Sequence, residues 1–132
     1  MARLVIKQSV VLPAPPETLY AMYMDPVRHA EITGGAAVIS AMPGSPFSAF
    51  DGTLCGTTLT VVSSRLIVQS WRSKKFHDTD PDSTLILALS AHGENGRIDL
   101  VHLDVPTHDY DGVNGGWEIY YWTPWRAYLA RR

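Results

Sequence analysis

The chain has 132 residues, of which 45% are hydrophobic and 18% charged, and its formal net charge is −2. This length and apolar content are typical of one globular domain with its own core, and they exclude an intrinsically disordered chain. Because lysine and arginine are scattered and no apolar run approaches the ~20 residues of a membrane span, we expect neither nucleic acid nor a membrane as a partner.

The first predicted element is a half-buried strand over residues 3–12, where apolar and polar side chains alternate. The proline-rich residues 13–16 end this strand and favour the first turn of a short helix. A second short helix is predicted to begin at Asp25, whose side chain can cap free backbone N–H groups, and to end at Gly34-Gly35. Two short helices therefore follow the opening strand.

A series of strands is predicted next. Residues 36–41 form a weak strand pattern, and residues 47–50 form a strand that ends at Asp51-Gly52, a pair that favours a tight hairpin. Four further strands follow at regular spacing, over residues 54–62, 66–73, 84–92 and 97–105. Such spacing predicts an antiparallel meander.

The last predicted element is a long amphipathic helix over residues 112–132, with an aromatic buried face. The residues that share this face are Trp117, Tyr120, Tyr121, Pro124, Trp125, Tyr128 and Leu129. Trp122 lies toward the flank, and Pro124, which lacks an N–H, predicts a kink. Gly115 and Gly116 predict a close backbone approach just before a buried Trp117. A sheet covered by such a helix is an α+β architecture.

Several short motifs are typical of one family. They are FSAFDG at residues 47–52, RLIVQSWR at 65–72, HLDVP at 102–106 and GWEIYY at 116–121. In this combination the chain resembles the Hsp90-ATPase-activator-homologue type of START-like (SRPBCC) domain, in the helix-grip superfamily that includes Bet v 1 and polyketide cyclase-like proteins. The resemblance implies a single domain over residues 1–132, with a curved six-stranded antiparallel sheet, two short helices and a long C-terminal helix in the order β-α-α-β-β-β-β-β-α.

Members of this superfamily include carriers, cyclases and co-chaperone domains, so the fold alone does not give the activity. An aromatic helix over a curved sheet can enclose an apolar cavity, and we therefore expect binding of a small hydrophobic or amphipathic molecule. The alternatives are a co-chaperone of Hsp90 and a metal-free cyclase or dehydratase. The sequence is also compatible with a homodimer. The eukaryotic co-chaperone carries a separate N-terminal Hsp90-binding domain, whereas the first strand here begins at Arg3, so we expect little effect on Hsp90.

The predicted ligand-binding residues lie between the sheet and the helix. They are Tyr20, Phe50, Trp71, Leu87, His102, Trp117, Glu118 and Tyr121. The aromatic members either line a pocket or fill the core. His102 is either a group that orients a ligand or moves a proton, or a satisfied histidine of the core, and either face of its strand can point inward. Glu118 is either a desolvated carboxylate suited to acid-base chemistry or a solvated residue of the first helical turn.

Motifs for metals and cofactors are absent from the sequence. The acidic residues 78–82 lack the glycine and the final glutamate of a calcium loop. The remaining histidines, which lack the spacing of paired metal ligands, are His29, His77, His92 and His108. A lone Cys55 allows no internal disulfide and is interpreted as a small apolar residue. We expect no metal, no cofactor and a cytoplasmic location, since the N-terminus also lacks a signal-peptide core.

Overall fold

The computed structural model describes residues 3–131. Six antiparallel strands form one curved sheet in the order β1-β6-β5-β4-β3-β2. The strands are β1 (Arg3–Leu12), β2 (Pro46–Ala49), β3 (Leu54–Val62), β4 (Leu66–Ser73), β5 (Ser83–His92) and β6 (Asn95–Pro106). Every sequential pair from β2 to β6 is a hydrogen-bonded neighbour, and β1 closes the sheet against β6. The predicted meander and the α+β class are confirmed.

Two short helices connect β1 to the rest of the sheet, α1 (Pro16–Met24) and α2 (Pro26–Thr33). Asp25 caps α2, because its Oδ1 accepts a hydrogen bond of 2.9 Å from the backbone N–H of Val27. Gly34 ends α2 with a φ of 84°, a conformation that glycine adopts without strain. Across residues 3–131, no helix combines the length and the apolar composition that a membrane crossing requires.

Residues 36–41 do not form the strand that their sequence pattern predicts. Val38 and Ser48 exchange two backbone hydrogen bonds of 2.9 Å, and this single bridge is not extended on either side. Its partner strand is only four residues long and ends where Phe50 and Asp51 adopt positive φ angles of 53° and 56°. A partner this short cannot hold a longer strand beside it.

The terminal helix runs over residues 110–130 in three segments, α3 (Tyr110–Trp117), a π-helical turn (Glu118–Trp122) and α4 (Thr123–Ala130). It begins two residues before the predicted Gly112, and a 3-10 helix (Thr107–Asp109) leads into it. The irregularity expected at Pro124 takes the form of the π-helical turn, where the Thr123 N–H bonds to the carbonyl of Glu118. The final predicted helical residue, Arg132, lies outside the described part of the chain.

The π-helical turn shifts the buried face of the terminal helix. Tyr120, predicted on the buried face, is 57% exposed, whereas Trp122, predicted toward the flank, is 3% exposed. Both predictions are wrong because a regular projection does not allow for the extra residue that a π turn inserts. The buried residues of the helix are Val113, Trp117, Tyr121, Trp122, Trp125 and Leu129.

The predicted close backbone approach at Gly115 and Gly116 is also wrong. A Cβ placed on Gly115 would meet nothing within 4 Å, and one on Gly116 would meet only the ring of Tyr120, at 3.4 Å. Close approaches lie instead at glycines such as Gly56 on β3, where a Cβ would meet the backbone carbonyl of Ser70. Gly115 and Gly116 therefore leave open space beside the helix.

Candidate ligand-binding cleft

A cleft of about 310 Å³ lies between the terminal helix and the β4 side of the sheet. Its wall from the terminal helix consists of Gly112, Val113, Gly116, Trp117, Tyr120 and Tyr121, and the facing wall includes Phe50, Thr53, Leu54 and Trp71. Tyr120 and Thr53 are exposed, so the cleft opens to solvent at their side. Gly112 and Gly116 of α3 border the cleft, and neither places a side chain in it.

Aromatic rings in mutual contact make up most of the cleft wall. The ring centres of Trp117 and Tyr121 are 4.9 Å apart, and those of Phe50 and Tyr121 are 5.7 Å apart in an edge-on arrangement. Trp71 lies 6.3 Å from Trp117 across the cleft base. Contacting aromatic rings at these distances stabilise one another and offer a ligand a large, rigid apolar surface.

Polar groups are concentrated at one end of the cleft, where Ser73, Lys75 and Asp109 contribute to the wall. The hydroxyl of Ser73 donates to Asp109 Oδ2 at 3.4 Å and accepts from the backbone N–H of Lys75 at 3.1 Å. Asp109 is 9% exposed, whereas Lys75 is exposed. This end of the cleft thus combines a nearly buried carboxylate with a hydroxyl and an ammonium group.

Trp71 has a buried polar atom beneath the cleft wall. Its side chain is 4% exposed, and its indole N–H has no hydrogen-bond partner among the described residues. A buried donor without an acceptor destabilises a folded protein by about 1–3 kcal/mol. The nitrogen itself is buried, so the indole presents its apolar ring and not its N–H to the cleft.

His102 lies under the cleft wall, and its ring meets the edge of Trp71 at a centre distance of 4.6 Å. The Ser83 hydroxyl donates to the carbonyl of Trp71 at 2.6 Å, so it accepts from His102 Nε2–H at 2.8 Å. His102 Nδ1 then accepts from the indole N–H of Trp117 at 3.3 Å. Burial lowers the pKa of His102 to about 3. His102 is therefore a neutral histidine whose two nitrogens are both satisfied.

A second buried network supports the cleft from behind Tyr121. His29 Nδ1 lies 2.8 Å from the carbonyl of Tyr23 and must carry the hydrogen, so its Nε2 accepts from the Tyr121 hydroxyl at 2.8 Å. The Tyr23 hydroxyl donates in turn to Gln69 Oε1 at 2.9 Å. Burial lowers the pKa of His29 and raises that of Tyr121, which keeps both groups neutral. The network fixes the orientation of the Tyr121 ring.

The structure distributes the eight predicted site residues over four environments. Four of them line the cleft: Phe50, Trp71, Trp117 and Tyr121. His102 and Leu87 are buried in the core, and Tyr20 packs half-buried on α1. Glu118 is exposed and accepts a hydrogen bond of 2.6 Å from the Thr123 hydroxyl. Of the two interpretations of Glu118, the solvated residue therefore fits the structure.

Sequence reasoning missed the polar end of the cleft. Ser73 and Lys75 lie at and just beyond the end of β4, and Asp109 belongs to the 3-10 helix. They come together only because β4 and the start of the terminal helix meet in the folded protein, and no periodic pattern in the sequence carries that information. Gly115 and Gly116 were interpreted as a sign of close packing, whereas they mark open space beside the helix.

A family model described as Activator of Hsp90 ATPase homolog 1-like protein matches residues 13–130. An uncharacterized protein of Schizosaccharomyces pombe is 25% identical over 119 residues, which are 90% of this chain and 35% of that protein. The chain therefore spans about a third of the length of this curated relative.

Solved structures show the same fold. An HSP90 activator from Plasmodium falciparum matches with a TM-score of 0.86 at 19% identity, over 96% of each chain. The Aha1 dimer from Colwellia psychrerythraea matches with a TM-score of 0.75 at 12% identity, over 89% of this chain and 90% of that one. At these identities the likeness concerns the fold alone.

Proposed function

The chain belongs to the Activator of Hsp90 ATPase homolog 1-like protein family, and from that premise we propose that it binds a small hydrophobic or amphipathic molecule in its cleft. The observation that carries the proposal is the aromatic cleft of about 310 Å³ with polar groups at one end. Binding sites for small molecules are mostly apolar, with a few polar groups that orient the ligand. The volume lies near the lower end of the usual range of roughly 300–1,000 Å³, which favours a compact ligand.

The polar groups define the chemistry of this ligand. At the polar end, Asp109 accepts hydrogen bonds and Lys75 donates them, so a hydroxyl group would find a partner there. We propose an apolar, ring-containing molecule with a hydroxyl at one end.

The arrangement supports binding more strongly than acid-base catalysis. His102, the first proton-moving candidate, is fully buried with both nitrogens bonded, and Glu118 points to solvent. The Tyr121 hydroxyl is directed to His29, away from any ligand in the cleft. A general acid or base must lie within hydrogen-bond reach of its substrate, and these three groups do not.

Filling the cleft provides the direct test. In Gly116→Leu the new side chain begins beside the Tyr120 ring at the cleft wall, whereas in the matched control Gly115→Leu it meets nothing within 4 Å. Both changes improve helix propensity equally, so they differ only in whether they occupy the cleft. With fatty acids, sterols and aromatic polyketides as probes, we expect native mass spectrometry and thermal shifts to show binding to wild type and to Gly115→Leu.

Gly116→Leu should lose at least tenfold in affinity for the same probe. Retained binding by Gly116→Leu would place the ligand elsewhere on the protein. Absence of binding by wild type to all three probe classes would overturn the proposal and favour a protein partner instead.

A second candidate function is regulation of an Hsp90-type chaperone, because the fold matches that of an HSP90 activator with a TM-score of 0.86. The measurement is the rate of ATP hydrolysis by purified Hsp90 with and without this protein. We expect little or no change, whereas a saturable increase in the rate would support the chaperone role. Gly116→Leu would then show whether the cleft participates.

A further inference from the structure

Two histidines and an aspartate meet beside the polar end of the cleft. His77 and Asp80 lie in the connection between β4 and β5, and His108 belongs to the 3-10 helix. Asp80 Oδ2 lies 2.7 Å from His108 Nε2 and 3.9 Å from His77 Nδ1. The potential ligand atoms of the three side chains all lie within 4.8 Å of one another. Asp80 and His108 are 28 residues apart, so no sequence motif joins them.

The backbone around the cluster is held in place before any ligand binds. Asp80 Oδ2 accepts from the backbone N–H of His77 at 2.8 Å, and the Asp80 N–H donates to the His77 carbonyl at 2.9 Å. The Arg72 guanidinium also donates to the backbone carbonyls of His77 and Asp80, at 3.0 and 3.1 Å. Contacts that orient ligating side chains in this way are a regular property of metal sites.

Charge and exposure in the cluster also suit a cation. Asp80 is 7% exposed, and its carboxylate accepts hydrogen bonds from His108 Nε2 and from the backbone N–H of His77. The side chains of His77 and His108 are 64% and 30% exposed, and their rings stack at 3.8 Å with an angle of 6° between the planes. The anion is thus at the base of the cluster, and solvent reaches the imidazoles.

We propose that His77, Asp80 and His108 bind a divalent transition-metal ion of the zinc class. Zinc–nitrogen and zinc–oxygen bonds of about 2.0–2.2 Å in a tetrahedron separate neighbouring ligand atoms by roughly 3.3 Å. The pair at 2.7 Å would open and the pair at 3.9 Å would close by about 0.6 Å each. The two stacked imidazole rings would rotate out of their parallel arrangement, so that the lone pairs in their ring planes converge on the ion, and the His108 hydrogen that now bonds to Asp80 would leave Nε2. Imidazole with carboxylate suits zinc, cobalt, nickel and copper, and water would complete the coordination.

The ion would join two parts of the chain that both contribute to the cleft. Lys75 precedes His77 in the β4–β5 connection, and Asp109 follows His108, and both line the polar end. A bound ion would therefore fix the spacing of that end, while the cleft itself supplies no ligand to the ion. The site stands independently of the ligand proposed above, because no cleft residue is needed to coordinate the metal.

The test uses tag-free protein, ZnCl₂ as the probe and MgCl₂ as the ion control. We expect Zn²⁺ to raise the Tm of wild type by on the order of 10 °C at a hundredfold excess over its dissociation constant, and excess EDTA to reverse the shift. Mg²⁺ should have no comparable effect, since it prefers oxygen ligands. Co²⁺ should give the visible absorption of a low-symmetry site in wild type.

The ligand variants are His77→Ala and His108→Ala, and the matched control is His92→Ala, which removes an exposed histidine at the end of β5. Each ligand variant should weaken Zn²⁺ binding by about tenfold or more in calorimetry, since loss of an outer-shell contact alone weakens a metal site 10- to 100-fold. His92→Ala should bind as wild type does. Equal affinity in all four proteins, or no binding by wild type, would overturn the proposal.

Discussion

Replacing Trp117 with alanine is expected to lower the free energy of unfolding by about 3–5 kcal/mol. Trp117 is 3% exposed, and its ring contacts Trp71, Tyr121 and Trp122. The change also removes the indole N–H that donates a hydrogen bond to His102 Nδ1, and this buried imidazole nitrogen is left without a partner. Such a loss is a large part of the ~5–15 kcal/mol that stabilises a typical domain. Urea denaturation followed by circular dichroism measures it.

Trp122→Ala should cost a similar amount, because Trp122 is also 3% exposed and its N–H donates to Gln8 on β1 at 2.8 Å. A regular helical projection predicts a smaller loss at Trp122 than at Trp117. Tyr120→Ala is the control, since Tyr120 is 57% exposed and should cost less than about 1 kcal/mol. A loss at Tyr120 equal to that at Trp122 would mean that the helix packs without the π-helical turn.

Lowering the pH from 7 to 4.5 is expected to destabilise the folded protein by roughly 3 kcal/mol through His102 alone. Burial lowers the pKa of His102 from 6.5 to about 3, so the unfolded chain binds a proton that the folded protein does not. Stability therefore falls as the pH falls from about 6.5 toward 3, by about 1.4 kcal/mol per pH unit. Burial also lowers the pKa of His29, which adds to the loss in the same direction.

The variant that isolates this effect is His102→Gln, whose amide keeps a donor and an acceptor but does not titrate. Urea denaturation between pH 6 and 4.5 should show a slope smaller than that of wild type by about 1.4 kcal/mol per pH unit. The exposed His92→Gln is the control and should retain the wild-type slope. An unchanged slope in His102→Gln would show that the histidine charges in the folded protein.

The elements that local chemistry specifies were predictable from the sequence. Helix α2 begins after Asp25 and ends at Gly34, as the capping preferences of these residues predict. Alternation placed β1, the Asp-Gly pair placed the end of β2, and regular spacing placed β3 to β6. Residues 36–41 could not be placed because their strand pattern requires a long partner that β2 does not provide. The π-helical turn was not predictable because it depends on how two buried aromatic side chains, Tyr121 and Trp122, both pack inward.

The candidate site was predictable only in its aromatic part. Trp71 and Trp117 could be placed at the cleft because each belongs to a strand or helix with a clear apolar face. The role of His102 was undetermined from the sequence, since both faces of β6 are apolar, and only its partners Ser83 and Trp117 reveal a neutral ring. The cluster at Asp80 required tertiary contact between distant segments, which a single sequence does not encode in any local pattern.

The π-helical turn divides the terminal helix into two parts that contact different regions of the protein. Before it, Val113 and Trp117 face the cleft. After it, Trp125 stacks on Tyr23 at 6.4 Å, and the Tyr128 hydroxyl bonds to Glu31, so α4 fastens the helix to α1 and α2. Tyr121, inside the turn, belongs to both parts: its ring lines the cleft, and its hydroxyl bonds to His29 of α2 at 2.8 Å. A substitution of Tyr121 therefore alters the cleft wall and the attachment of the helix together, whereas a substitution of Trp125 or Tyr128 alters the attachment at residues that do not line the cleft.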